Sequence, residues 1–238
     1  MSSNFEIRKE IKLEATPEQV WHAIATREGQ TAWSPDPNAI EQDGTIVEQE
    51  PLTRLMVRTP AEENGAFHAF EYLIETEEGG ITVLRFVHSG FLGDDWNDEF
   101  SFEEMTSYGW DMYLHTLELY LTYFAGQPAT YVEAAAPMAS AEPDGWATLE
   151  KGLGLAAPPR LGETITLTPD GLPPIEGVVD YVIPTDDFIA IRAKDGLYRF
   201  HNLAPMNMPI AVGHYIYEEV DGEAAREAWR LWLERLYS

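Results

Sequence analysis

The chain has 238 residues, 45% hydrophobic and 12% aromatic, a composition that can bury a core and is not that of a disordered chain. Its formal charge of -26 serves solubility first and repels phosphate, which makes nucleic acid and anionic membranes poor partners and leaves a basic protein as the alternative reading. Cysteine is absent, which excludes disulfides, thiolate nucleophiles and cysteine metal sites and suits the cytoplasm.

Phe5–Glu14 reads as a strand, with Phe5 and Ile7 followed by Ile11 and Leu13 across an interruption at Lys9–Glu10 that suggests a bulge. Thr16, Pro17 and Gln19 form the N-cap, first position and capping-box partner of a helix carrying Val20, Trp21 and Ile24. A second helical piece over Arg27–Trp33 stops at Pro35 and Pro37. Asp43–Gly44 marks a hairpin, and Leu52–Thr59, Ala66–Thr76 and Ile81–Ser89 read as strands, the last two joined by a turn over Glu77–Gly80. Ser101 and Glu104 cap a long helix that Phe100 and Met105 staple. Its stripe of Trp110, Leu114, Leu117, Leu121 and Phe124 must face an apolar surface. Gly109 interrupts this helix, and a close approach to the sheet would explain it. Gly126 and Pro128 end it.

The second half repeats the order strand, helix, meander, helix. Thr130–Ala136 is strand-like, and Asp144–Leu153 is a short helix with Trp146 near its start. Leu161–Thr168 and Pro174–Ile183 flank a Pro169–Asp170–Gly171 turn, Phe188–Ala193 and Leu197–His201 pair across Asp195–Gly196, and Ile210–Glu218 is the last strand. Ala225, Trp229, Trp232 and Leu236 form a closing helical stripe. The fold class is therefore α+β, with domains at 1–127 and 128–238, the second shorter and more divergent.

Thr16–Pro17–Glu18–Gln19–Val20–Trp21, Trp33, Val87–His88–Ser89–Gly90–Phe91 and Gly109–Trp110 with Leu114 and Leu117 resemble the SRPBCC superfamily. The branch they most resemble is named for the C-terminal domain of activators of the heat-shock protein 90 ATPase. The resemblance covers most of Phe5–Phe124, and Pro128–Ser238 resembles the same fold more loosely. It implies two START-like, helix-grip domains, each a curved antiparallel sheet around its C-terminal helix, with a cavity that in many members holds an apolar small molecule. The stretch between Trp33 and Leu52 is shorter than in the family, and the separate amino-terminal domain of the co-chaperone activators has no counterpart.

The candidate cavity residues are Trp33, Tyr72, Phe86, His88, Trp110 and Tyr113 in the first half and Trp146, Tyr198, His201 and Trp229 in the second. Aromatics at helical spacing ordinarily belong to the core, and His88, in phase with Leu84 and Phe86, ordinarily becomes a satisfied core histidine. The acidic run Asp94, Asp95, Asn97, Asp98 and Glu99 lacks the glycine and glutamate register of an EF-hand and complements the following helix N-terminus. His201 and His214 have no third ligand at metal spacing. Phosphate loops, nucleophile elbows and apolar runs long enough to span a membrane are missing. The leading expectation is a non-enzymatic cytoplasmic protein that binds an apolar or amphipathic small molecule, with neither cofactor nor metal. The alternatives are an acidic module for a basic protein partner and a cyclase-like enzyme using a cavity histidine or tyrosine.

Overall fold

Phe5, Ile7, Ile11 and Leu13 share one face of the first strand because successive side chains alternate. The computed structural model describes residues 4–34, 45–77, 81–96, 101–183 and 188–238. In it this strand, β1 (Asn4–Leu13), pairs with β5 (Thr82–Phe91) in unbroken antiparallel register from Asn4↔Phe91 to Leu13↔Thr82. The bulge expected at Lys9–Glu10 is not there. Lys9 stands on the apolar face and reaches Asp111 on the long helix at 2.6 Å, keeping its stem in the interior and its charge paired.

The chain divides into two compact units, Met1–Pro128 and Ala129–Ser238. In the first, β1 leads to α1 (Pro17–Ala25), whose capping box forms as read: the Gln19 amide donates to Thr16 Oγ1 at 3.3 Å and the Thr16 amide to Gln19 Oε1 at 2.9 Å. The shorter α2 (Arg27–Thr31) follows. Then come β2 (Thr45–Glu50), β3 (Arg54–Arg58), β4 (Phe67–Thr76) and β5, giving a sheet in the order β1-β5-β4-β3-β2. The expected hairpin at Asp43–Gly44, the turn residues 78–80 and the stapling Phe100 lie outside the described residues.

The long helix α3 (Phe102–Leu119) starts at Ser101, whose Oγ accepts the Glu104 amide at 3.2 Å, and continues as a π-helical turn over Tyr120–Phe124. Leu114, Leu117, Leu121 and Phe124 are buried, each large apolar side chain contributing roughly 1.5–3 kcal/mol. Trp110 lies against Phe86 of β5, ring centroids 4.2 Å apart, so the stripe faces the sheet. Gly109 has no close approach to explain it: a Cβ there would meet nothing among the described residues within 4 Å.

In the second unit β6 (Thr130–Ala135) leads to a short 3-10 turn and α4 (Gly145–Gly152). The meander β7 (Thr164–Leu167), β8 (Ile175–Val182), β9 (Phe188–Ala193), β10 (Gly196–His201) and β11 (Ala211–Ile216) follows, and α5 (Gly222–Leu236) closes the unit. The sheet order is β6-β11-β10-β9-β8-β7. The described residues thus form two antiparallel sheets and five α-helices, an α+β fold. In both sheets the last strand returns between the first strand and its own predecessor, and a helix follows it. The β9–β10 hairpin turns on Lys194–Asp195, with Gly196 already paired to Ile216. Glycine is needed there for proximity, since a Cβ would lie 2.5 Å from the Tyr215 carbonyl oxygen.

Candidate functional site

Register brings the inward side chains of the first sheet together. Phe70 opposes His88, Tyr72 opposes Phe86, and His68 opposes Gly90. A Cβ at Gly90 would lie 2.2 Å from the Phe67 carbonyl oxygen and 3.0 Å from the Phe5 ring, so only glycine lets these rings close up. His88 is stacked on Phe70 at 4.5 Å and meets Phe5 edge-on at 4.9 Å. Above it the Trp110 indole N–H donates to His88 Nδ1 at 3.0 Å, and His88 Nε2 lies 2.9 Å from His68 Nδ1.

That chain has one direction. Indole nitrogen can only donate, so His88 Nδ1 accepts and neutral His88 carries its proton on Nε2. It therefore donates to His68 Nδ1, and neutral His68 carries its proton on its own Nε2. Burial, then the proximity of His68, pushes the His88 pKa down to about 3. Burial also lowers that of His68, against an opposing pull from Glu62. His68 lines an open groove of about 400 Å³ with Asn64, Trp96 and Phe102. The groove stands at the end of the aromatic layer. Beneath Trp110 the space between helix and sheet is filled by Phe70, Phe86 and His88.

The second unit carries a matching pair. His214 on its last strand meets Trp229 on its closing helix edge-on at 4.6 Å, as His88 meets Trp110 at 5.8 Å. Phe200 and Tyr198 pack around His214 at 5.2 and 4.9 Å. Here the imidazole partner is backbone: the Arg199 amide donates to His214 Nδ1 at 3.1 Å, and Nε2 has no hydrogen-bond partner among the described residues. Burial drives the His214 pKa well down, with the neighbouring His201 and Arg199 charges adding to it. Arg199 is buried and pairs with Asp180 at 3.0 Å, the residue that bulges out of β8 between Val179 and Tyr181. Its Nε and Nη2 are buried without partners among the described residues.

The apolar recess of this unit lies at the N-terminal end of α5 and has a volume of about 390 Å³. Its floor is Tyr198, Ile216 and Trp229, with Ile175 and Leu172 beside them. Ala224, Ala225 and Ala228 present the helix to it, and such small side chains leave space that larger ones would occupy. Asp195, Glu218, Glu219 and Asp221 bring carboxylates to it. The Tyr198 hydroxyl donates to Asp195 Oδ2 at 2.8 Å. Burial first, then the Asp195 and Glu218 charges, raises the Tyr198 pKa far above the ordinary phenol value. Asp221 Oδ1 caps α5 by accepting the Glu223 and Ala224 amides, each at 3.1 Å.

The ten candidates thus separate. Tyr198 and Trp229 meet at the recess. Tyr72, Phe86, His88 and Trp110 join the aromatic layer of the first unit, with Tyr113 edge-on to Trp110 at 6.2 Å. Trp33 is buried elsewhere, its indole N–H donating to the Ala23 carbonyl at 2.9 Å. Trp146 borders a crevice of about 10 Å³, too small for a ligand. His201 packs on Phe188 at 4.9 Å, and burial with the Arg199 charge lowers its pKa to about 4. Sequence reasoning passed over His68, the Asp180–Arg199 pair and the acidic side of the recess. The alternation of His68, Phe70 and Tyr72 was a usable signal for the first, because those residues share a strand face. Among the described residues no group of three His, Cys, Asp or Glu could hold a metal ion, and no helix is long and apolar enough to cross a membrane.

Three solved structures are similar to this chain over about half of its length. One is the Aha1 dimer from Colwellia psychrerythraea, 18% identical, covering 49% of this chain and 96% of its own, with a TM-score of 0.36. A protein from Mesorhizobium loti is 17% identical, covering 50% of this chain and 98% of its own, with a TM-score of 0.41. CalU16 from Micromonospora echinospora is 21% identical, covering 48% of this chain and 73% of its own, with a TM-score of 0.37. No family model and no curated protein matches the chain.

Proposed function

We propose that the chain is a tandem of two helix-grip units and that the second binds an apolar small molecule without converting it. The observation that carries this reading is the recess of about 390 Å³ over Tyr198, Ile216 and Trp229. Its size and apolar floor suit a small ligand with one or two polar groups. The common strand order and the repeated His–Trp pairing support the tandem. Binding is favoured over turnover because the one hydroxyl on the floor is engaged with Asp195 and its ionisation is suppressed. A cytoplasmic location belongs to the same proposal and rests on the absence of cysteine.

The test is titration calorimetry of the whole chain against small apolar alcohols, beside an Ala228→Phe variant whose new ring occupies the recess. Binding by the native chain and its loss in the variant is the expected result. Equal binding by both would place the ligand elsewhere, and no binding by the native chain would end the proposal.

A further inference from the structure

The polar groups that line the recess are of one sign. Four carboxylates, Asp195, Glu218, Glu219 and Asp221, border it, and among the described residues no lysine, arginine or histidine does. Asp195 is half-buried, while Glu218, Glu219 and Asp221 are exposed at the mouth. None of the four forms an ion pair among the described residues. Among the described residues the Asp195 side chain accepts from the Tyr198 hydroxyl, and Asp221 from the two amides that it caps. The α5 N-terminus partly balances Asp221, and Asp195, Glu218 and Glu219 leave a net negative charge around the recess. A ligand with a carboxylate or phosphate would bring like charge into it, and a neutral ligand would leave the field unused. The floor adds two aromatic rings, Tyr198 and Trp229, whose faces attract cations.

We propose that the recess selects an organic cation, its apolar body seated on Ile216, Tyr198 and Trp229 and its ammonium group beside Asp195 and Glu218. This rests on the reading that the recess binds a small apolar molecule, and it adds the chemical class of that molecule. Charge and apolar shape act together here: the alanines of α5 leave room for the body, and the carboxylates fix which end faces outward.

The test uses three probes of one shape, phenylbutylamine, phenylbutanol and phenylbutyrate, titrated into the whole chain at neutral pH and at low and high salt. The amine is expected to bind about tenfold more tightly than the alcohol at low salt, and the carboxylate most weakly. The advantage should shrink with salt. It should fall to near parity in an Asp195→Asn, Glu218→Gln double variant, which keeps the hydrogen-bond acceptors and removes the charge. A Glu133→Gln, Glu142→Gln double variant removes the same charge from exposed positions outside the recess and should keep the preference. Equal binding of amine and alcohol would overturn the cation proposal and leave the recess standing. Loss of the preference in both double variants would assign it to overall charge and overturn it as well. Failure of all three probes would remove the recess reading and this one with it.

Discussion

The buried imidazole of His88 makes the first unit sensitive to acid in a way that can be separated from the carboxylates. In the unfolded chain His88 titrates near the ordinary value of 6.5; in the fold its pKa is about 3. The folded state therefore holds it neutral where the unfolded state gains a proton. Stability is fully present above about pH 6.5 and is lost as the pH falls toward about 3. Each pH step in that window costs up to about 1.4 kcal/mol, so between about pH 7 and about pH 5 His88 alone should cost roughly 2 kcal/mol. Urea unfolding at those two pH values measures the loss, and a His88→Phe variant supplies the reference. The variant begins weaker, because Trp110 and His68 lose a buried partner, but its loss between the two pH values should be smaller by about 2 kcal/mol. Identical losses in both proteins would refute the reasoning. So would an NMR titration in which the His88 ring protonates near its ordinary value in the folded state.

Three further outcomes follow from the packing. Gly109→Ala should stabilise the first unit by roughly 1 kcal/mol in urea unfolding, since the position is helical and a Cβ meets nothing within 4 Å; a destabilised variant would reveal a contact at that site. Gly90→Ala should destabilise by about 1–3 kcal/mol or more, because the added carbon would lie 2.2 Å from a backbone oxygen, and unchanged thermal unfolding would contradict the register. Asp180→Ala should cost about 3–5 kcal/mol by leaving the buried Arg199 charge unpaired. A loss within experimental error would mean that water reaches the guanidinium.

Local chemistry was the legible part of the sequence. Thr16, Pro17 and Gln19 announced α1, Ser101 announced α3, and the spacing of Leu114, Leu117, Leu121 and Phe124 announced a buried face, because caps and periodicity act within a few residues. Strand alternation likewise placed His88 toward the helix. The readings that failed depended on neighbours distant in sequence. Lys9 looked like a break in β1, yet its partner Asp111 lies on a helix about a hundred residues later. Gly109 suggested a contact that is absent, while Gly196, read as part of a turn, serves proximity to β11. The link from His68 to His88 required β4 and β5 in register.

By itself the sequence determined the order of elements, their caps and the faces they bury, since these follow from hydrogen bonding and side-chain periodicity over short stretches. Only the tertiary structure decided where space remains. Phe70, Phe86, His88 and Trp110 meet and fill the layer beneath the helix in one unit, whereas Ala224, Ala225 and Ala228 border an opening in the other. Whether two packed surfaces close or leave a recess depends on the summed volumes of side chains from both. That sum is fixed by register and packing, not by either segment alone.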